Sequence, residues 1–354
     1  MTPRGFFRLV YTQHMKRNRS TASRTIPGVP APGFARRIGE VVDSRRAVTF
    51  QELQSVELMN RLKPGPGSGG MPFGWTVNPY RGCEIGCVYC YARPTHEYLG
   101  HADPADFESR IYVKRAESGR LHDALKKARE SGQEVAVGTA TDPYQPADGR
   151  FRVTRDVLRA VARVRGLRLG ITTKSASIVR DLDLLREIAA ASSLTVNISL
   201  ISLDADLLRL LEPRAPRPDL RLATMRTLAD AGIPVRLFVM PILPGITDGE
   251  AGLRELLEAA RAAGAREAVW NLLFLRGSAR DFFLDFVRRE MPWLATRYAA
   301  LYAQGTRAQI EYRQAVEARV ERLAREVGLA GLTREDRVRR EAAPLPPRQL
   351  ELVW

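Results

Sequence analysis

Cysteine is scarce in this chain: its 354 residues include three, Cys83, Cys87 and Cys90, all within eight positions. A disulfide framework needs more of them and a wider spread, so that class of small stapled protein is excluded. Lysine is scarce too, six against 49 arginines, and Lys174 is the last of the six. Acids are outnumbered, which leaves a formal net charge of +15. No uninterrupted apolar run approaches the ~18 residues of a membrane-spanning helix. The N-terminus lacks the apolar core of a signal peptide, because Arg8 interrupts the short stretch at 5–11. These absences leave a cytoplasmic protein without membrane association, in which three clustered thiols point to metal or redox chemistry.

The first 74 residues read as a basic, loop-rich arm and lead-in. Arg4, Arg8, Lys16, Arg17, Arg19 and Arg24 stand there with no acid among them. Such a stretch is a solvated tail or a weak attractor of polyanions, which makes nucleic acid a candidate partner. Met15 is an alternative to Met1 as the first residue. The remaining arginines are interleaved with acids and form no aromatic-laced basic stripe. Residues 48–62 are expected to form a short helix, and 64–74 (PGPGSGGMPFG) a flexible connection. At the other end, 342–354 carries Pro344, Pro346 and Pro347 and is expected to be extended.

Between these ends, short β-rich runs alternate with amphipathic stretches. Strands are expected at 75–80, 135–139, 167–172, 194–200, 235–240 and 268–273. Helices are expected at 121–131, 152–164, 177–190, 204–211, 221–231 and 248–263. Apolar positions such as Val157, Val161 and Val164 follow the helical period. The strand runs are largely apolar, as in a parallel sheet buried on both faces. About six β–α units therefore make up a core over 75–277. Arginine-rich helices at 279–290, 293–304 and 306–326 follow, as a helical C-terminal extension over 278–354.

The chemistry centres on residues 78–91, NPYRGCEIGCVYCY, with cysteine spacing C-x3-C-x2-C. A four-iron cubane commonly takes four thiolates. With three available, one iron must take a ligand other than cysteine, and such an open position lets a metal centre act on a bound molecule. Gly82 and Gly86 let backbone wrap closely around such a group. The rival reading is a Cys3His zinc site completed by His96, in a non-catalytic nucleic-acid-binding module.

The motif resembles the radical S-adenosylmethionine (SAM) superfamily and, more narrowly, its spore photoproduct lyase-like group. The resemblance spans roughly 75–275. It includes 137–146 (VGTATDPYQP), 171–175 (ITTKS), 211–216 (LEPRAP) and 240–245 (MPILPG). It implies an α/β fold, a partial (β/α)6 TIM-like barrel, in agreement with the unit count. It also implies a [4Fe–4S] cluster on Cys83, Cys87 and Cys90 whose fourth iron binds the amino and carboxylate groups of SAM. Reductive cleavage of that cofactor to a 5′-deoxyadenosyl radical, fed by a flavodoxin- or ferredoxin-type electron donor, is the implied activity. Tyr89 holds the family position that contacts the adenine region.

Most of the other candidates lie at C-terminal strand ends, where parallel α/β folds bind ligands. Thr139, Thr141 and Asp142 follow the second strand. Lys174 follows the third, and its compact ammonium suits the cofactor carboxylate. Asn197 and Ser199 end the fourth strand, either as cofactor contacts or as local hydrogen-bond caps. Met240 ends the fifth, where the family's backbone lies near adenine. Glu212 and Arg214 read as an ion pair. The resemblance stops short of the lyase reaction, because the chain has no spare cysteine to return a hydrogen atom. Local comparison puts Thr139 at that position, and its hydroxyl is a poor hydrogen-atom donor. Tyr144 is a candidate relay that nothing in the sequence selects.

Overall fold

Each apolar run in the core pairs with the next one along the chain. The computed structural model describes residues 47–54, 57–62, 73–115 and 118–331, all of them in one unit, Arg45–Trp354. Strands β3 (Trp75–Val77), β6 (Val135–Val137), β7 (Arg168–Thr173), β8 (Ser193–Ser199), β9 (Val235–Ile242) and β10 (Glu267–Leu272) lie side by side in that order, all parallel. An antiparallel β2 (Met59–Arg61) and a parallel β11 (Ala330–Gly331) extend this eight-stranded sheet at its two ends. Helices α1 (Ser118–Ser131), α2 (Val153–Ala162), α3 (Leu182–Ala191), α4 (Ala205–Leu211), α5 (Pro218–Asp230) and α6 (Glu250–Ala262) provide the crossovers. This is the partial (β/α)6 barrel expected from the unit count.

The register shows how the barrel is layered. Val77, Val137, Ile171, Val196 and Val235 align across five strands, and each is at most 1% exposed. Strand side chains alternate between faces, so Thr172, Asn197, Ser199, Phe238 and Met240 share the opposite face. That face is less closely covered: Thr172 and Phe238 are half-exposed while their strand neighbours are buried, and Met240 is half-exposed as well. Helices α7 (Ser278–Glu290), α8 (Ala295–Leu301) and α9 (Ile310–Val327) follow β10, and α9 packs on α6.

One expectation fails. Residues 48–62 form no helix among the described positions; they form β1 (Thr49–Gln54) and β2. β1 pairs in parallel with β5 (Arg110–Arg115), from Thr49 opposite Arg110 to Gln54 opposite Arg115. β4 (Tyr80–Arg81) joins the other side of β5, so the expected first strand, 75–80, splits between two sheets. A partner some sixty residues away outweighs weak local helical periodicity. The basic arm at 1–45, most of the lead-in and the C-terminal segment expected to be extended lie outside the described residues.

Candidate active site

The cysteine segment starts where β4 ends. Gly82 turns there at φ +86°, and a Cβ would sit 2.8 Å from the Arg110 carbonyl oxygen and 2.9 Å from that of Phe107. Only glycine fits such a place. The Cys83 N–H donates to Phe107 O at 2.9 Å, and two tight turns follow, Gly86 N–H to Cys83 O and Cys90 N–H to Cys87 O. Arg93, fully buried, holds the loop from beneath. Its guanidinium donates to the carbonyls of Cys87 (2.9 Å) and Pro104 (2.8 Å) and pairs with Glu108 at 2.5 Å. It also lies 3.9 Å from the centre of the Phe282 ring, tying the loop to α7.

These thiols fit an iron–sulfur cubane better than one zinc ion. Cys83 and Cys87 are buried and Cys90 is half-exposed. Among the described residues, no group of three or more His, Cys, Asp or Glu side chains converges as a single ion requires. A cubane needs no such convergence, because each thiolate binds its own iron at a separate corner. His96 is engaged elsewhere: Nε2 bonds the Arg110 carbonyl at 2.9 Å and the ring packs on Phe107, His101 and Tyr112. Burial pushes all three thiols up, that of Cys87 to about 12, while the Lys174 ammonium nearby pulls it down. A metal must therefore displace protons as it loads.

The segment after β6 holds this loop in place. Thr141 Oγ1 donates to Gly82 O at 2.6 Å and accepts from Gln145 Nε2 at 2.9 Å. Gln145 Oε1 accepts from Glu84 N–H at 2.8 Å, and Glu84 in turn accepts from the Ala147 N–H. Asp142 N–H points at Cys83 Sγ, 3.5 Å away. The Asp142 carboxylate accepts from Thr173 Oγ1 (2.7 Å), Lys174 N–H (2.7 Å) and Tyr144 N–H (2.9 Å). Burial raises its pKa, against those bonds. Thr139 bonds Asn78 through its hydroxyl (3.1 Å), and its carbonyl accepts from the Tyr91 hydroxyl. Thr139, Thr141 and Asp142 thus spend these bonds on the loop and on β7.

Lys174 leads into a buried charged group. Its Nζ donates to Ser199 Oγ at 2.6 Å, lies 3.4 Å from Glu212 Oε1 and sits 5.8 Å from the centre of the Tyr89 ring. Glu212, set against Arg214 by the sequence, takes Lys174 and Arg221 as its cations and accepts from the Tyr89 hydroxyl. Burial alone would raise the Glu212 pKa, but Arg221 and Lys174 hold it below the ordinary carboxylate value. Burial would likewise lower that of Lys174, and Glu212, then Cys87, carry it above the ordinary lysine value. Tyr89 is buried, and burial followed by Glu212 keeps its hydroxyl protonated. Arg221 also donates to Ser199 O at 3.0 Å.

Asn197 stands beside this group on the less covered face. Its Nδ2 donates to Thr172 Oγ1 at 3.2 Å, while its buried Oδ1 has no protein partner. Met240 is half-exposed two residues beyond Phe238 and begins a cis bond to Pro241. The structure therefore gathers Tyr89, Lys174 and Ser199 around Glu212, and places Asn197 and Met240 on the shared face. Sequence reasoning missed Arg93, Gln145 and Arg221. Arg93 and Arg221 were hidden by the arginine excess, and Gln145 lay inside a quoted motif without a role.

Comparison with known proteins bears on the family and the fold. Residues 77–270 match the family model described as the radical SAM superfamily. An uncharacterised protein of Mycobacterium tuberculosis is 36% identical over 321 residues, covering 91% of this chain and 93% of that protein. An uncharacterised protein of Methanocaldococcus jannaschii is 29% identical over 176 residues, half of this chain and 63% of its own length. Among solved structures, spore photoproduct lyase complexed with dinucleoside spore photoproduct matches with a TM-score of 0.60 at 17% identity, covering 88% of this chain and 86% of the lyase. At that identity the likeness concerns the fold. The triple-cysteine loop, the six-unit barrel behind it and the family match together place this chain in the radical SAM superfamily, as a radical SAM enzyme.

Proposed function

We propose that Cys83, Cys87 and Cys90 hold a [4Fe–4S] cluster and that the protein cleaves SAM reductively, with a nucleic acid as its substrate. The carrying observation is the loop itself: three thiols, the only ones in the chain, on a backbone that glycine, Arg93 and the 139–145 segment hold in one shape. When held by these three thiolates, such a cluster would supply the electron for reductive cleavage of SAM, and so radical chemistry toward a substrate hydrogen. A small electron carrier of flavodoxin or ferredoxin type is the proposed reductant.

The chain's own residues divide the remaining work. The Lys174 ammonium and the Ser199 hydroxyl, already 2.6 Å apart, would hold the cofactor carboxylate. Glu212 keeps that ammonium charged and positioned. The Tyr89 ring and the backbone at Met240 would flank the adenine, and the unpartnered Asn197 Oδ1 would accept from a cofactor hydroxyl or amine. Thr139, Thr141 and Asp142 serve the cofactor by fixing the loop against β7. The barrel core at 75–277 would carry this chemistry, with helices α7, α8 and α9 outside it.

Two things support a nucleic-acid substrate: the charge of +15 and the fold likeness to a lyase solved with a dinucleoside photoproduct. A reaction other than the lyase's is proposed, since the cysteine that the resemblance would require to return a hydrogen atom has no counterpart among the three thiols. The test is SAM cleavage by anaerobically reconstituted protein, with and without DNA and RNA. Nucleic acid should speed the release of 5′-deoxyadenosine and should bind less tightly as salt rises. Cleavage unaffected by either polymer would remove the proposed substrate, and no cleavage at all would remove the activity.

A further inference from the structure

The small sheet β1–β5–β4 carries two cations that the proposed reaction does not use. In the antiparallel β4–β5 pair, Arg81 stands opposite Tyr112. Lys114 is two residues beyond Tyr112 and therefore on the same face, within reach of Arg81 across the strands. Both side chains are half-buried. Neither has an acid or a hydrogen-bond acceptor as partner among the described residues. The carboxylate that reaches this face, Asp106, is engaged by His101 (3.5 Å) and Arg110 (3.4 Å). His101 Nε2 meets the Tyr112 hydroxyl at 2.6 Å, and the tilted His96 ring lies 5.6 Å from that of His101. The neighbouring positions on β1, Gln51 and Leu53, bring no charge.

Two cations sharing a half-dry face without a counter-charge repel each other and pay for desolvation. Burial, then Arg81, accordingly push the Lys114 ammonium down to about 8. An anion seated between them would remove both penalties. Arginine offers a planar fork of donors and lysine a compact charge, a pairing suited to phosphate oxygens. We propose that Arg81 and Lys114 form an oxyanion site that takes a phosphate group. Arg81 directly precedes Gly82 and Cys83, so the pair stands on the strand that leads into the cysteine loop. The inference is independent of the cluster and of the substrate.

The six lysines allow a direct test by NMR of ε-carbon-labelled lysine in the reconstituted full-length protein. The probes are inorganic phosphate, a nucleoside monophosphate and a short DNA oligonucleotide, each against chloride at matched ionic strength. The resonance assigned by Lys114→Gln should titrate near the low value alone and move toward the ordinary lysine range with a phosphate probe, because a bound anion favours the charged form. Lys114→Gln should weaken phosphate binding about tenfold or more, and Lys114→Arg should restore most of it. A response to free phosphate but not to the oligonucleotide supports a site for small phosphates. A response to the oligonucleotide supports backbone anchoring. Should none of the probes move the Lys114 resonance beyond chloride, or should Lys114→Gln bind phosphate as well as the parent, the inference is wrong.

Discussion

Replacing Glu212 by glutamine removes the one negative charge among three groups that need it. The carboxylate is wholly buried, Arg221 is 1% exposed and Lys174 is 12% exposed, so water cannot make good the loss for the two cations. Breaking a buried ion pair by removing one partner costs about 3–5 kcal/mol. With Lys174 able to turn partly toward solvent, the lower half of that range is expected. The Glu212 carboxyl titrates below its ordinary value of 4.5, so its contribution is complete above about pH 4.5 and is lost as pH falls through the lower, folded-state value. Urea denaturation at pH 7 should therefore show a loss of roughly 3 kcal/mol in Glu212→Gln, and the gap to the parent should narrow on acidification. A double variant, Glu212→Met with Arg221→Met, should recover part of the loss, since no bare guanidinium is left behind. A loss under about 1 kcal/mol at pH 7, or a gap that acid does not narrow, would refute the reasoning.

Other outcomes follow from the same geometry. Gly82→Ala should cost more than about 1 kcal/mol and reduce iron loading, because a Cβ at positive φ meets two carbonyl oxygens; calorimetry and iron analysis check both. Thr141→Val should cost about 1–2 kcal/mol in urea denaturation by stripping Gly82 O and Gln145 of a partner. Lys114→Met should raise stability at pH 7 by about 1 kcal/mol. That gain should vanish from about pH 8 toward 10.5, where the unfolded chain sheds the extra proton it binds. Lys174→Met should weaken SAM binding at least about tenfold in equilibrium dialysis, while leaving cysteine-bound iron in place.

The strands of the barrel were legible because each buries an apolar face and the next core run along the chain is its partner. Val135–Val137 and Ser193–Ser199 needed only local pattern and punctuation. β1 was not legible, because its residues are largely exposed and its partner is β5. The cysteine loop could be read from spacing alone. The roles of Thr141 and Asp142 could not, since both lie near a ligand-binding edge but direct their oxygens at backbone groups that only folding brings close. Arg221 was invisible for a simpler reason: one buried arginine looks like any other in a chain with 49 of them.

Metal and sulfide analysis of oxygen-free protein, coupled to an assay for methionine and 5′-deoxyadenosine, bears most directly on the three thiols. Parent protein should carry about four irons and cleave SAM when reduced, and Cys87→Ala should lose both properties. A single zinc without iron, or cleavage that survives the loss of Cys87, would contradict the assignment.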